Sequence, residues 1–157
     1  MHSGYVALGR DEGGEILAGG GAPEGAVYEK GAFYQPTVIA GLGNDARMCQ
    51  EEIFGPVLAV LPFADEDDLI AQANDSVFGL SSGIWTKDYK RAWRVGRRLD
   101  AGTVWVNTYK MFSISTPFSG IKESGIGTEK GRQGIRNYMH QKSVYWGLNE
   151  QPIPWAG

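Results

Sequence analysis

The chain has 157 residues, of which 42% are hydrophobic and 21% charged, with a formal net charge of -3. That length suits one ordinary domain burying roughly 68–70% of the surface its unfolded form exposes, and the composition excludes a disordered chain. The negative balance argues against a nucleic-acid partner, and no run approaches the roughly 18 apolar residues of a membrane span.

Met1-His2-Ser3-Gly4 lacks the charged segment and apolar run of a signal peptide, and His2 reads as part of a tail. Glycines 13–14 and 19–21 flank Glu15 to Ala18, one brief strand between turns. The triple glycine leads into Ala22-Pro23-Glu24 rather than a helix start, and Glu24 would repel a phosphate, so a turn is expected there. Val57 to Phe63 is an apolar run of strand length. Asp65-Glu66-Asp67-Asp68 then supplies an N-cap and first-turn acids for a helix carrying Leu69, Ile70, Ala73 and Val77.

Gly79 to Trp85 predicts a second strand, and Thr86 to Leu99 a helix with an apolar stripe of Tyr89, Ala92, Gly96 and Leu99, ended by Gly102. Thr103 to Val106 is a third strand. Strand-helix-strand-helix-strand order predicts an α/β fold with a mostly parallel, right-handed sheet and flanking helices. Gly125 and Gly127 lack a third glycine at the position of Lys130 and follow a loop, so no dinucleotide fingerprint is present. Ile135, Tyr138 and Met139 mark a short helix, and Val144, Trp146 and Leu148 alternate along a final strand, Lys142 to Leu148. Gln151-Pro152-Ile153-Pro154 forbids further regular structure.

Cys49 is the only cysteine, which excludes an intramolecular disulfide and suits a reducing compartment. With two distant histidines it offers no metal set, and the neighbouring Glu51 and Glu52 should raise its pKa and disable it as a nucleophile. His2 and His140 form no triad. Lys87, Lys90, Arg91, Arg94, Arg97 and Arg98 read as a solvated helix face, with Trp93 packed under arginine stems. Tyr109, Phe112 and Phe118 lie in a polar loop after a strand, where open α/β sheets bind ligands. In Glu51 to Val57, EEIFGPV, the period-two rule gives Glu52 the same orientation as Phe54. A carboxylate can accept from two vicinal hydroxyls and a ring can pack on a flat heterocycle, a pair suited to a nucleoside.

Five ordered motifs, GAFYQPTV (Gly31 to Val38), EEIFGPV, AGTVWVN (Ala101 to Asn107), PFSGIKESGIG (Pro117 to Gly127) and KSV (Lys142 to Val144), resemble the C-terminal third of an NAD(P)-dependent aldehyde dehydrogenase. The resemblance implies oxidation of an aldehyde to a carboxylic acid through a thiohemiacetal, hydride transfer to nicotinamide and thioester hydrolysis. It implies that Glu52 binds the nicotinamide ribose of NAD or NADP, that Phe54 contacts that end of the cofactor, and that Phe112 and Phe118 line the aldehyde tunnel. The family's nucleophile context G-Q-x-C, its general-base context E-L-G-G-K and its phosphate-binding F-T-G-S are absent from this chain, so no catalytic residue is assigned and the chain alone is expected to be inactive. The expected organisation is a partial catalytic domain over 1–141, an oligomerisation strand over 142–150 pairing with a neighbouring subunit, and a tail over 151–157. The implied partners are a small aldehyde and further copies of the chain, without nucleic acid or membrane, in the cytoplasm; a non-catalytic assembly module is the alternative function. Ser119 stands where the family usually has glycine, which leaves the placement of Phe118 open.

Overall fold

A computed structural model describes residues 2–148. The chain opens with helix α1 (His2–Asp11) and strand β1 (Glu15–Ala18), followed by β2 (Thr37–Ala40), α2 (Arg47–Gln50) and β3 (Val57–Val60). After α3 (Glu66–Asn74) come β4 (Phe78–Gly79), β5 (Ser81–Ile84), α4 (Tyr89–Gly96), β6 (Thr103–Val106), β7 (Ile121–Lys122) and α5 (Gly131–Arg136). No helix among the described residues is long and apolar enough to cross a membrane.

The core forms where α1 and α2 close over β2. Val6, Ile39, Leu42 and Met48 are buried together, with Ile16, Cys49, Ile53 and Val57 packed around them. His2 therefore begins a helix rather than a tail. Gly9 sits where an added Cβ would lie 2.5 Å from the Met48 sulfur, so the close approach of α1 to α2 depends on it. Thr37 is buried in β2 with its hydroxyl satisfied, donating to the Gln35 carbonyl and accepting from the Gly20 amide. The triple glycine leaves β1 as irregular chain with a bend at Gly21 and makes this contact, and Gly19 (φ +71) passes so close to Pro36 that no side chain would fit.

The expected single sheet is three separate ones among the described residues. β2 pairs antiparallel with β1 and parallel with β3, β5 pairs parallel with β6, and the short β4 pairs antiparallel with β7. The strand-helix-strand unit from β5 through α4 to β6 is present, but β3 takes its partner from β2 instead of β5. The run from Val57 stops at Val60 because Pro62 has no N–H for a ladder.

Asp65 caps α3, its carboxylate accepting from the Asp67 and Asp68 amides, and Val77 lies beyond the helix. Asp88 does the same for α4, which therefore starts at Tyr89 rather than Thr86. Its inward positions are Ala92 and Val95, with Gly96 against Ile84 and Val104, whereas Tyr89 is 77% exposed. The helix ends at Gly96, and Gly102 instead allows the Ser119 carbonyl to approach the backbone. The basic face of α4 is ion-paired to the first turn of α3: Arg91 and Arg94 meet Glu66, and Arg98 meets Asp67. The Arg97 guanidinium lies 5.8 Å from the Trp93 ring centroid.

One expectation near the end of the described residues is corrected. The short helix is α5, whose buried residue is Gly134, while Ile135, Tyr138 and Met139 are exposed and the last two lie outside it. Residues 141–148 have no regular structure within the single chain, where Val144, Tyr145, Trp146 and Leu148 are all exposed, and the expected strand is one that a neighbouring subunit would complete. A strand is completed by its ladder partner. The expected tail at 151–157 lies outside the described residues.

Candidate functional site

The EEIFGPV segment is pinned at both ends. Upstream, the Glu12 carboxylate accepts from the Arg47 and Met48 amides and so fixes the start of α2. Glu51 follows the helix and receives the Arg47 guanidinium and, at 2.9 Å, the Tyr5 hydroxyl of α1. Arg47 first and Tyr5 second hold the Glu51 carboxyl below its ordinary range, and the same contact raises the Tyr5 pKa. Downstream, the Pro56 carbonyl accepts from the Thr37 amide at 2.8 Å, joining the segment to β2.

Between these anchors the side chains alternate. Glu51 and Ile53 are half-buried, with Ile53 on the core, while Glu52 and Phe54 are exposed. Glu51 is thus a structural acid, and Glu52 has no hydrogen-bond or ion-pair partner among the described residues. Phe54 is 85% exposed and adopts φ +49, a left-handed conformation that costs a bulky residue about 1–3 kcal/mol. The strain turns the ring outward instead of letting it follow Ile53 into the core. Glu52 and Phe54 lie on an irregular approach to β3, which separates them from the ends of the parallel strands.

The second part of the site follows β6. Asn107 takes φ +52, and its carboxamide donates to the Thr86 carbonyl at 2.8 Å and accepts from the Thr86 amide at 2.9 Å. A side chain thus adds one more rung to the β5–β6 ladder and starts the loop. Trp105 is buried on β6 and donates through Nε1 to the Met111 carbonyl, folding the loop back over itself. Tyr109 and Phe112 meet Trp105 edge-on at 5.4 and 5.5 Å, and Phe118 meets Phe112 edge-on at 5.1 Å. Such pairs contribute roughly 0.5–1.5 kcal/mol each beyond burial.

Phe118 is held by a two-way backbone pair with Glu129, both bonds 2.8 Å. Ser119 is not among the residues at positive φ, so serine meets no backbone strain here. Phe112, Phe118 and Trp105 line a cavity of about 340 Å³. That cavity does not reach Glu52 or Phe54, and the two halves of the expected site stand on different sheets.

Cys49 is half-buried, and its pKa is raised by burial first and by Glu12 and Asp45 second. The direction is the expected one, but Glu12 and Asp45 take the place of Glu51 and Glu52. A larger apolar hollow of about 860 Å³, between α4 and the β5–β6 ladder, was not legible as a cavity in the sequence. Trp85, Tyr89, Trp93, Val104 and Val106 line it. The i, i+2 spacing of Val104 and Val106 on one strand face was the available signal.

Residues 2–144 match the model of the aldehyde dehydrogenase family. A betaine aldehyde dehydrogenase of Rhizobium etli is 45% identical over 151 residues, 96% of this chain and 31% of that protein. One from Brucella melitensis is 42% identical over the same length. Among solved structures, a point mutant of Staphylococcus aureus betaine aldehyde dehydrogenase in complex with NAD+ gives a TM-score of 0.94 at 37% identity, covering 99% of this chain and 32% of that one. Aldehyde dehydrogenase from Bacillus cereus gives 0.86 at 40% identity over 94% of this chain and 29% of that one. The chain thus spans about a third of the length of the curated relatives it matches, and it belongs to the aldehyde dehydrogenase family.

Proposed function

We propose that this chain is the C-terminal third of an NAD(P)-dependent aldehyde dehydrogenase, supplying one wall of the cofactor site and part of the aldehyde tunnel. The observation that carries the reading is Glu52, an acid without a partner among the described residues, beside a strained and outward-turned Phe54. A carboxylate with free acceptor atoms fits vicinal ribose hydroxyls, and an exposed ring beside it fits the nicotinamide end. Glu52 would orient the cofactor, Phe54 would keep it from sliding, and Phe112 and Phe118 would exclude water from the tunnel. When bound, the nicotinamide supplies the hydride acceptor. The reactive cysteine, the general base and the phosphate-binding loop would come from the rest of the enzyme, so the 157-residue chain alone should not oxidise aldehydes. The complete enzyme is expected in the cytoplasm.

The test is a chimera in which this chain replaces the matching segment of the Rhizobium etli relative. Turnover with NAD+ is expected, and Glu52→Gln should slow hydride transfer about ten- to a hundredfold with little change in thermal stability. Wild-type kinetics for Glu52→Gln would end the assignment of that residue.

The exposure of Val144, Tyr145, Trp146 and Leu148 supports a second reading, an assembly module that joins copies by adding residues 142–150 to a neighbouring sheet edge. Light scattering separates the two. A monomer whose mass is unaffected by deletion after Lys142 removes the assembly reading and leaves the enzymatic one standing.

A further inference from the structure

The aromatic cluster after β6 is already occupied by the protein's own cations. Lys130 Nζ lies 3.8 Å from the Phe112 ring centroid and 5.9 Å from that of Phe118, and Lys110 Nζ lies 5.6 Å from that of Tyr109. Both lysines hold positive φ, +61 and +54, a conformation a lysine adopts only where its surroundings impose it. With Asn107, three of the five described non-glycine residues at positive φ flank this one cluster. Lys130 is half-buried and has no carboxylate partner among the described residues.

Lys130 also lines a separate cavity of about 1050 Å³ together with Arg132 and Arg136, with Glu129 its single acid. Neither arginine is ion-paired among the described residues. Three cations against one acid leave that cavity, which adjoins the cluster through Lys130, electropositive. Exposed ring faces would attract a cationic ligand, but here a second cation would have to displace an ammonium group or sit beside it. An anionic group would meet no such competition and would supply the counter-charge that Lys130 lacks among the described residues.

We propose that the aldehyde admitted past Phe112 and Phe118 carries a carboxylate on its tail, drawn in by Lys130 and Lys110, and that a trimethylammonium aldehyde is disfavoured. This rests on the reading that the cluster lines the aldehyde tunnel. It separates the chain from what the names of its relatives say they act on.

The same chimera tests it with three aldehydes: betaine aldehyde as the cation, 3,3-dimethylbutanal as its neutral isostere, and 4-oxobutanoate as the anion. The expected kcat/KM for the anion exceeds that for the cation by about tenfold or more, and Lys130→Gln lowers the anion-to-neutral ratio by about tenfold. Added salt should erode that ratio in the unsubstituted chimera and much less in Lys130→Gln. A preference for betaine aldehyde, or a Lys130→Gln effect equal on all three, overturns the inference while leaving the proposed function intact. Failure of all three in a folded, NAD+-binding chimera overturns both.

Discussion

Gly102 joins two parts of the molecule that the sequence keeps apart. An alanine Cβ there would lie 1.7 Å from the Ser119 carbonyl oxygen and 2.8 Å from its carbon. Restoring an ordinary contact requires the 117–120 loop to retreat by roughly 1.5 Å or more. That loop cannot retreat freely, because Phe118 is bonded both ways to Glu129 and Ile121–Lys122 pairs with Phe78–Gly79. Overpacking of about 1–3 kcal/mol, together with about 1 kcal/mol in all for partial weakening of two backbone bonds, puts Gly102→Ala near 2–4 kcal/mol. Equilibrium urea unfolding should show a midpoint lower by about 1–2 M at unchanged slope. Gly21→Ala, where nothing lies within 4 Å of the added atom, serves as the control and should fall within about 0.5 kcal/mol of wild type. If Gly102→Ala behaved like that control, the seating of Phe118 against the start of β6 would be wrong. In the chimera the same substitution should also raise the aldehyde KM, since Phe118 is displaced.

Asp65→Ala removes the acceptor for two amides at the start of α3 and should cost about 1 kcal/mol by urea unfolding, with Asp65→Asn recovering most of it. Asn107→Ala loses both Thr86 bonds and leaves a non-glycine residue at φ +52, so it should cost about 2 kcal/mol, more than Asn107→Gly, which sheds the backbone strain; the reverse ranking would discredit the side-chain rung. Glu51 and Glu66 have carboxyl pKa values lowered from an ordinary 4.5 by Arg47 and Arg94 respectively. Depressed acids stabilise the folded state above their unfolded pKa and lose that contribution as pH falls through the folded value. Thermal stability should therefore drop on acidification below about pH 4.5. In Glu51→Gln and Glu66→Gln it should start lower at neutral pH and fall less steeply.

Local signals carried the local structure. The boundaries of β1 and β6 and the Asp65 cap followed from alternation, turn residues and capping chemistry alone. Helix α1 was hidden because Gly4 and Gly9 weaken its helical pattern, yet Gly9 is what lets Met48 approach. Packing overrode propensity there. The start of α4 required choosing Asp88 over Thr86, both capping residues, and only Asp88 finds two free amides. The partner of β3 is a long-range choice between two apolar segments, and β2 wins because its buried face already completes the core with Val6 and Met48.

The candidate site divides along the same line. Residue type and the period of two gave Glu52 and Phe54 their common direction, but not the positive φ that turns the ring out, nor the pairing that spends Glu51 on Tyr5 and Arg47. The aromatic loop announced its composition, but not the ammonium above Phe112, because Lys130 arrives there through the Phe118–Glu129 pair, which no local pattern encodes. Trp85, Tyr89 and Trp93 remain exposed around the α4 hollow although their types favour burial or contact. An exposed acid without a partner, an outward strained ring and three uncovered aromatics make physical sense together if one body faces all of them. On the proposed reading that body is the part of the relatives beyond the 31% this chain spans, and completing the fold would also complete the site. Joining the chain to the remainder of the Rhizobium etli relative should therefore raise its melting temperature and create NAD+ binding together. Gain of either one without the other would separate the two and refute that coupling.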